Sequence, residues 1–144
     1  MTLVLVHHAE AESPAVDPHR PLTARGLIQA ASLAAELEEA GVRPAAIWHS
    51  GKLRARQTAE AFLRRVPVAE CRMVRGLRPD DPVDWIRHEI EAETRDLLIV
   101  GHMPGLSELA RVLAPSCAGV PLHGLVCLDR TDDGAWQERR GSGH

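Results

Sequence analysis

Three histidine-bearing segments and one arginine stand out among the residues of this 144-residue chain that could do chemistry. His8 follows the apolar run Thr2–Val6, Ser50 follows a second apolar run, and His102 follows a third. Arg54 opens the segment after Ser50. An imidazole can attack phosphorus as a nucleophile, while a guanidinium and a second imidazole neutralise the surrounding oxygens. These residue types favour a site for an anion such as phosphate.

The four residues can meet only if the elements before them end at one edge of a sheet. Apolar, β-branched runs predict strands at Thr2–Val6, Ala45–His49, Cys71–Leu77, Asp96–Val100, Leu125–Leu128 and Ala135–Arg140. Amphipathic stretches predict helices over residues 24–40, Leu53–Arg65, Val83–Glu93 and Leu106–Leu113. This alternation predicts an α/β fold, a three-layer α/β/α sandwich with a mostly parallel central sheet and an antiparallel C-terminal strand. Reactive groups in such sheets cluster at the carboxyl ends of the strands.

The first predicted helix has the clearest local signals. Thr23 is placed to cap its amino end, and Gly41 stands where a helix stop is expected. Its apolar residues repeat at helical spacing and are expected on one buried face: Leu27, Ala30, Ala31, Ala34 and Leu37.

Composition sets the broad class. The chain is 44% apolar and 26% charged with a net charge of −3, which is typical of a globular protein and gives no reason to expect nucleic acid or an anionic membrane as a partner. No apolar segment is long enough to span a bilayer, and three cysteines without C-x-x-C spacing favour reduced thiols. We expect one cytoplasmic domain over residues 1–140, followed by a flexible tail at residues 141–144.

Four motifs in the expected order resemble the histidine phosphatase (phosphoglycerate mutase-like) superfamily. That family is marked by R-H-G after its first strand, S-x-x-x-R-A-x-Q-T-A after its second and G-H after a later one. The corresponding segments here read V-H-H-A-E from Val6, S-G-K-L-R-A-R-Q-T-A from Ser50 and V-G-H-M-P-G from Val100. A fourth segment, R-P-L-T-A-R-G from Arg20, resembles the signature of the SixA-type branch. The resemblance runs from the first strand to Leu113.

The resemblance implies roles for individual residues. His8 would be the nucleophile that forms a phosphohistidine intermediate, with no metal or other cofactor. Arg54 would bind the phosphoryl oxygens, and His102 would be the second imidazole beside them. Ser50 and Arg20 would be supporting phosphate contacts, and His7 is a further candidate for binding phosphate. The partner would be a phosphohistidine-bearing signalling or phosphotransfer protein, or a small phosphorylated substrate.

Two positions depart from the family pattern. His7 replaces the arginine before the nucleophile, and Ala9 replaces the glycine after it. A neutral imidazole offers one donor where guanidinium offers a charged fork, so losing such a contact could cost about 2 to 4 kcal/mol in the transition state. On a strand of period two, His7 is predicted to point away from His8. A relative that binds phosphate or a phosphorylated partner with little or no turnover is therefore the alternative function.

The general acid is not identified by the motifs. The loop after the third predicted strand offers Asp80 and Asp81 as possible acids, although acidic residues beside proline more often form turns.

A metal site is the remaining alternative for the histidines. A site built from His7, His8 and His102 is disfavoured because there is no H-x-x-x-H pair and no carboxylate at ligand spacing. The other histidines are predicted to be ordinary surface or boundary residues: His19, His49, His88 and His123.

Overall fold

The computed structural model describes residues 1–139, within which the chain forms six strands and four helices. The strands are β1 (Thr2–His7), β2 (Ala46–His49), β3 (Glu70–Met73), β4 (Leu97–Gly101), β5 (Leu125–Arg130) and β6 (Trp136–Glu138). The helices are α1 (Ala24–Glu39), α2 (Leu53–Leu63), α3 (Val83–Ala92) and α4 (Gly105–Leu113). The predicted tail at residues 141–144, and Arg140 at the end of the last predicted strand, lie outside the described residues.

The six strands form one sheet in the order β3-β2-β4-β1-β5-β6. The four strands from β3 to β1 are parallel, whereas β5 runs antiparallel to β1 and β6 antiparallel to β5. The predicted mostly parallel sheet with an antiparallel C-terminal addition is confirmed. Because β5 is antiparallel, its amino end at Leu125 lies at the same sheet edge as the carboxyl ends of β1, β2 and β4.

Helices cover both faces of this sheet, which gives the predicted three layers. Val4 packs in one apolar cluster with Phe62 of α2, and Leu5 packs in the other with Leu109 of α4. Neighbouring residues of β1 thus face opposite layers, and each is completely buried. A central strand covered on both sides reads as a continuous apolar run, which explains the amino-terminal sequence.

The structure corrects the predicted buried face of α1. Thr23 caps the helix as predicted, because its hydroxyl accepts the N–H of Gly26 at 2.9 Å. Leu27, however, is 49% exposed, and Ala31 is also exposed. The stripe begins one residue earlier because Gly26 lies against the Glu10 carbonyl. It contains Gly26, Ala30, Ala34 and Leu37.

Strand β3 is also shorter than predicted. β3 is an edge strand of the sheet and pairs with β2. Its last residue, Met73, pairs with His49, which is the last residue of β2. Residues beyond Met73 have no neighbouring strand to continue the ladder. No helix within residues 1–139 is both long and apolar enough to cross a membrane.

Gly26 should be intolerant of a side chain. A Cβ at this position would lie 2.0 Å from the Glu10 carbonyl oxygen, so Gly26→Ala must displace the backbone of the loop after β1. We expect the free energy of unfolding to fall by about 1 to 3 kcal/mol in urea denaturation. Gly105→Ala is the matched control, since a Cβ on that helical glycine meets nothing within 4 Å. Equal stability of the two variants would contradict the assignment of Gly26 to a packed contact.

Candidate active site

The ends of three parallel strands bring His8, Ser50 and His102 together. The His8 N–H donates to the Gly101 carbonyl at 3.2 Å, which holds His8 beside the residue that precedes His102. The two rings have centroids 5.0 Å apart, and the Ser50 hydroxyl lies 2.6 Å from His102 Nε2. Ser50 follows β2, and β4 lies between β1 and β2 in the sheet. The predicted clustering of these three residues is present.

The hydrogen bonds around His8 define which nitrogen is available. His8 Nδ1 lies 2.7 Å from the Ala9 carbonyl oxygen, which can only accept, so Nδ1 carries the hydrogen. Nε2 of the neutral ring therefore keeps its lone pair. Ala9 has a negative φ, so the alanine is accommodated where the family pattern has glycine. A nucleophilic nitrogen at the strand end is what phosphoryl transfer to histidine requires.

Thr58, which sequence reasoning did not single out, connects the loop after His8 to Arg54. Its hydroxyl oxygen accepts the Ala9 N–H at 3.0 Å and its O–H donates to the Arg54 carbonyl at 2.8 Å. Thr58 is fully buried in α2. The Thr of the Q-T-A segment was the available signal, because a threonine hydroxyl inside a helix can donate to the carbonyl four residues earlier and still accept a hydrogen bond from another segment.

Two buried polar atoms at the site have no protein partner among residues 1–139: Arg54 Nε and His102 Nδ1. If the Ser50 hydroxyl donates to His102 Nε2, then the hydrogen of the neutral ring is on Nδ1, and both unpartnered atoms are donors. Arg54 also lies in the first turn of α2, where the helix end favours negative charge. A buried polar atom without a hydrogen bond costs free energy, and an oxyanion bound beside His8 could supply the missing partner to both atoms.

Burial keeps the three histidines of the cluster neutral at pH 7. It lowers the pKa of His8 to about 4 and the pKa of His7 and His102 to about 3. Nearby positive charge is a smaller cause of these same lowered pKa values, with Arg54 acting on all three rings. Burial also lowers the pKa of the Arg54 guanidinium, with a second contribution from Arg20.

Arg20 lies close enough to the cluster to act on it electrostatically. Its charge lowers the pKa of both His8 and Arg54. Its Nε donates to the Glu12 carbonyl at 2.9 Å, which fixes the side chain in the loop after β1. Arg20 therefore remains a candidate phosphate contact at the rim of the site.

The structure corrects the predicted orientation of His7. Strand β1 ends at His7, so the alternation of a strand does not continue to His8, and the two rings lie 4.5 Å apart. His7 Nδ1 accepts the backbone N–H of His123 at 2.8 Å, which places the hydrogen of the neutral ring on Nε2. His7 can thus donate one hydrogen bond into the site, in place of the charged fork of an arginine.

His123 is not the ordinary boundary residue predicted from sequence. Its ring stacks on His7 with centroids 4.8 Å apart and planes within 6° of parallel. Its Nδ1 lies 2.7 Å from the His8 carbonyl oxygen and therefore donates to it. The residue precedes β5, and only the antiparallel direction of that strand brings it to this edge. A histidine just before an antiparallel strand was the signal available in the sequence.

His49 likewise differs from its prediction as a surface or boundary residue. It is the last residue of β2 and is 8% exposed. Its Nδ1 accepts the N–H of Gly51 at 3.1 Å, which shapes the turn between β2 and α2. His49 thus helps to place Ser50, while His19 and His88 are exposed as expected.

The ring nitrogens of His7, His8 and His123 lie within 4.8 Å of one another, which is the spacing of a three-histidine metal site. The hydrogen-bonding pattern opposes metal ligation in this conformation. Because His7 Nδ1 accepts the His123 N–H, its Nε2 carries hydrogen and offers no lone pair to a metal. His7 would have to give up that bond before it could become a ligand.

The two candidate acids lie in the loop between β3 and α3. Asp81 accepts the N–H groups of Gly76 at 3.1 Å and Arg78 at 3.0 Å on the same oxygen, so it shapes its own loop. It lines a cavity that also reaches His102. Asp80 is exposed, and no hydrogen bond joins it to the histidine cluster within residues 1–139. Neither Asp80 nor Asp81 is hydrogen-bonded to His8 in the described part of the chain.

A groove beside Ser50 extends the site away from the sheet. It is lined by Ser50, Met73, Val74, Arg75, Arg78, Asp81 and Trp85. The Arg75 guanidinium lies over the Trp85 ring, 4.0 Å from its centroid. The groove thus places a cationic and an aromatic side chain on the same side of Ser50.

Comparison with known proteins identifies the family of this arrangement. The model of the histidine phosphatase superfamily (branch 1) matches residues 3–98. An uncharacterized protein of Picosynechococcus sp. is 32% identical over 110 residues, which cover 74% of this chain and 67% of the relative. The structure of the protein histidine phosphatase SixA complexed with tungstate superposes with a TM-score of 0.85 at 21% identity, covering 96% of this chain and 94% of that one. A proposed SixA phosphohistidine phosphatase from Nakamurella multipartitia gives 0.73 at 26% identity, covering 96% and 92%.

Acid should destabilise the fold through the buried histidines. These rings have a lower pKa in the folded than in the unfolded protein, so they take up protons on unfolding. Their contribution to the free energy of unfolding is therefore complete above about pH 6.5 and is lost as the pH falls towards 4. Between pH 7 and pH 5 we expect a loss of about 2 kcal/mol for each such ring. Urea denaturation across this range measures the effect. His7→Asn should flatten the dependence, whereas substitution of the exposed His88 by Asn should not; equal slopes would contradict the buried neutral cluster.

Proposed function

Because the chain belongs to the histidine phosphatase superfamily, we propose that it is a phosphatase that transfers the phosphoryl group of its substrate to His8 and then to water. One observation carries this proposal. The His8 ring holds its hydrogen on Nδ1, bonded to the Ala9 carbonyl, so that Nε2 keeps a lone pair in the cluster that holds Arg54 Nε and His102 Nδ1, two buried atoms without a protein partner among residues 1–139.

In the proposed first step, His8 Nε2 attacks phosphorus while the bond to the leaving group breaks. The Arg54 guanidinium and His102 Nδ1–H bind the phosphoryl oxygens, and His7 Nε2–H and Arg20 add donors around them. Charge on these oxygens is stabilised by groups that are already fixed in place, such as His102 through Ser50. In the second step, water attacks the phosphohistidine and returns the electron pair to His8.

A phosphohistidine on a protein is the substrate class we propose. Two relatives of similar fold are described as SixA phosphatases of histidine, and one of them binds tungstate, a tetrahedral oxyanion like phosphate. An imidazole leaving group also needs less assistance than an alkoxide, which suits a cluster in which no carboxylate of residues 1–139 is hydrogen-bonded to His8. The groove containing Arg75 and Trp85 gives room for the polypeptide around the phosphorylated residue.

A phosphate-binding protein with weak or absent turnover is the second candidate. The neutral His7 in the family's arginine position favours it, since one donor is lost along with a permanent charge. This candidate retains oxyanion binding through Arg54 and His102 but releases no phosphate.

The phosphatase proposal predicts that turnover depends on His8. Phosphate release from a phosphohistidine-bearing protein, or from phosphoramidate, should fall at least about 1000-fold in His8→Ala because the nucleophile is gone. His88→Ala should retain full activity, since that ring is exposed on α3. A rate unchanged by His8→Ala would remove the mechanism, and loss of activity with a chelator would favour a metal site instead.

The same assay with His7→Arg separates the two candidate functions. A guanidinium restores a charged fork near the phosphoryl group, so kcat/KM should rise by up to about 100-fold if the wild type is a working phosphatase. A silent wild type that binds tungstate in calorimetry, together with an active His7→Arg, would establish the binding protein. A variant slower than an active wild type would show that the bond from His123 to His7 matters more than the charge.

A further inference from the structure

We propose that His123 is the proton donor and acceptor of the reaction: it protonates the leaving group and later takes a proton from the attacking water. The inference rests on the proposed function, because it needs His8 to accept the phosphoryl group. It also assigns chemistry to a residue outside the four sequence motifs. The geometry of its ring, and the lack of another acid beside His8 among residues 1–139, point to this role.

The two nitrogens of His123 are in different environments. Nδ1 donates to the His8 carbonyl oxygen at 2.7 Å, so it carries hydrogen whether the ring is neutral or charged. No hydrogen bond occupies Nε2 among residues 1–139, and a ring nitrogen of His123 lies within 4.8 Å of one of His8. Nε2 is thus free to gain and lose a proton, and the ring is held beside His8 through its other nitrogen.

The position of the ring is fixed by its backbone as well. His123 has a φ of 50°, in the left-handed region that non-glycine residues rarely adopt. Its N–H donates to His7 Nδ1, and the following Gly124 has both backbone groups bonded, to His7 and to Pro121. A disfavoured conformation held by several bonds at a reacting centre is typical of a functional constraint.

Among residues 1–139, the other groups around His8 offer no candidate that could donate and accept this proton. The charges that lower the pKa of His7, His8 and His102 belong to basic residues: Arg20, Lys52, Arg54 and the histidines themselves. Asp81 is engaged with two backbone N–H groups of its own loop. His123 faces two titratable groups, His7 through stacking and His8 across 5.9 Å between ring centroids. Both are buried, whereas His123 is half-buried and in contact with solvent, which can supply its proton.

The steps balance with His123 as the only added group. His8 Nε2 forms the bond to phosphorus, the bond from phosphorus to the leaving atom breaks, and the Nε2 proton of charged His123 moves to that atom. Water then forms a bond to phosphorus, its proton moves to Nε2 of the now neutral His123, and the His8–phosphorus bond breaks. Phosphate leaves with both histidines back in their starting states.

The test compares wild type and His123→Asn on phosphate esters whose leaving groups differ in pKa, in the presence of a chelator. Asparagine tolerates the left-handed backbone and can donate to the His8 carbonyl, but it cannot transfer a proton. Turnover of an alkyl phosphate should fall at least about 100-fold, while release of nitrophenolate from 4-nitrophenyl phosphate in the first turnover should change less than about tenfold. The variant should then accumulate phosphoenzyme, because water lacks its base. His88→Asn is the matched control.

A uniform loss for all leaving groups, or no loss for any, would overturn the role of His123. If such results accompanied a wild type whose activity requires His8, the phosphatase proposal would stand and only this inference would fail. A wild type that neither released phosphate from phosphoramidate nor took up its phosphoryl group would overturn both. A variant with poor folding would be recognised by its denaturation curve, and His123→Gln, with a longer amide, would then have to reproduce the leaving-group dependence.

Discussion

The pairing of β1 with β4 is the constraint on which the site depends. Their register sets His7 opposite Gly101, and the His8 N–H closes the ladder on the Gly101 carbonyl. His8 and His102 therefore leave the sheet side by side, at a point where both faces are already covered by helices. Two imidazoles placed in this way are buried by the fold itself, and their neutrality at pH 7 is a consequence of that burial.

Because the buried histidine rings are neutral, the direction of each hydrogen bond decides which ring nitrogen carries the hydrogen. A neutral imidazole has one donor and one acceptor, so each ring is committed by its first partner. The Ala9 carbonyl commits His8 to a free Nε2, the His123 N–H commits His7 to donation, and the His8 carbonyl commits His123 Nδ1. His7 in the arginine position thus changes hydrogen bonding as well as charge, because its ring accepts the N–H of His123 and stacks on the His123 ring.

The sequence carried enough information for the fold and for much of the site. Continuous apolar runs fixed the buried strands, and the motifs that begin at Ser50 and Val100 placed His102, Arg54 and Ser50 at one edge. His123 could not be found in this way, because its position depends on the antiparallel pairing of β5 with β1 and on no local motif. The direction of His7 was mispredicted because the strand ends at that residue, which is a property of the loop that follows. Leu27 was mispredicted because a glycine, invisible to hydrophobic periodicity, begins the buried stripe of α1.

The most direct test of the account is to find where the phosphoryl group goes. The protein is mixed with phosphoramidate, quenched in alkali, where phosphohistidine survives, and examined by mass spectrometry and phosphorus NMR. The account predicts one phosphoryl group on Nε2 of His8, absent from His8→Ala. A phosphoryl group on another residue, on Nδ1 of His8, or on none while phosphate is still released by wild type, would contradict it.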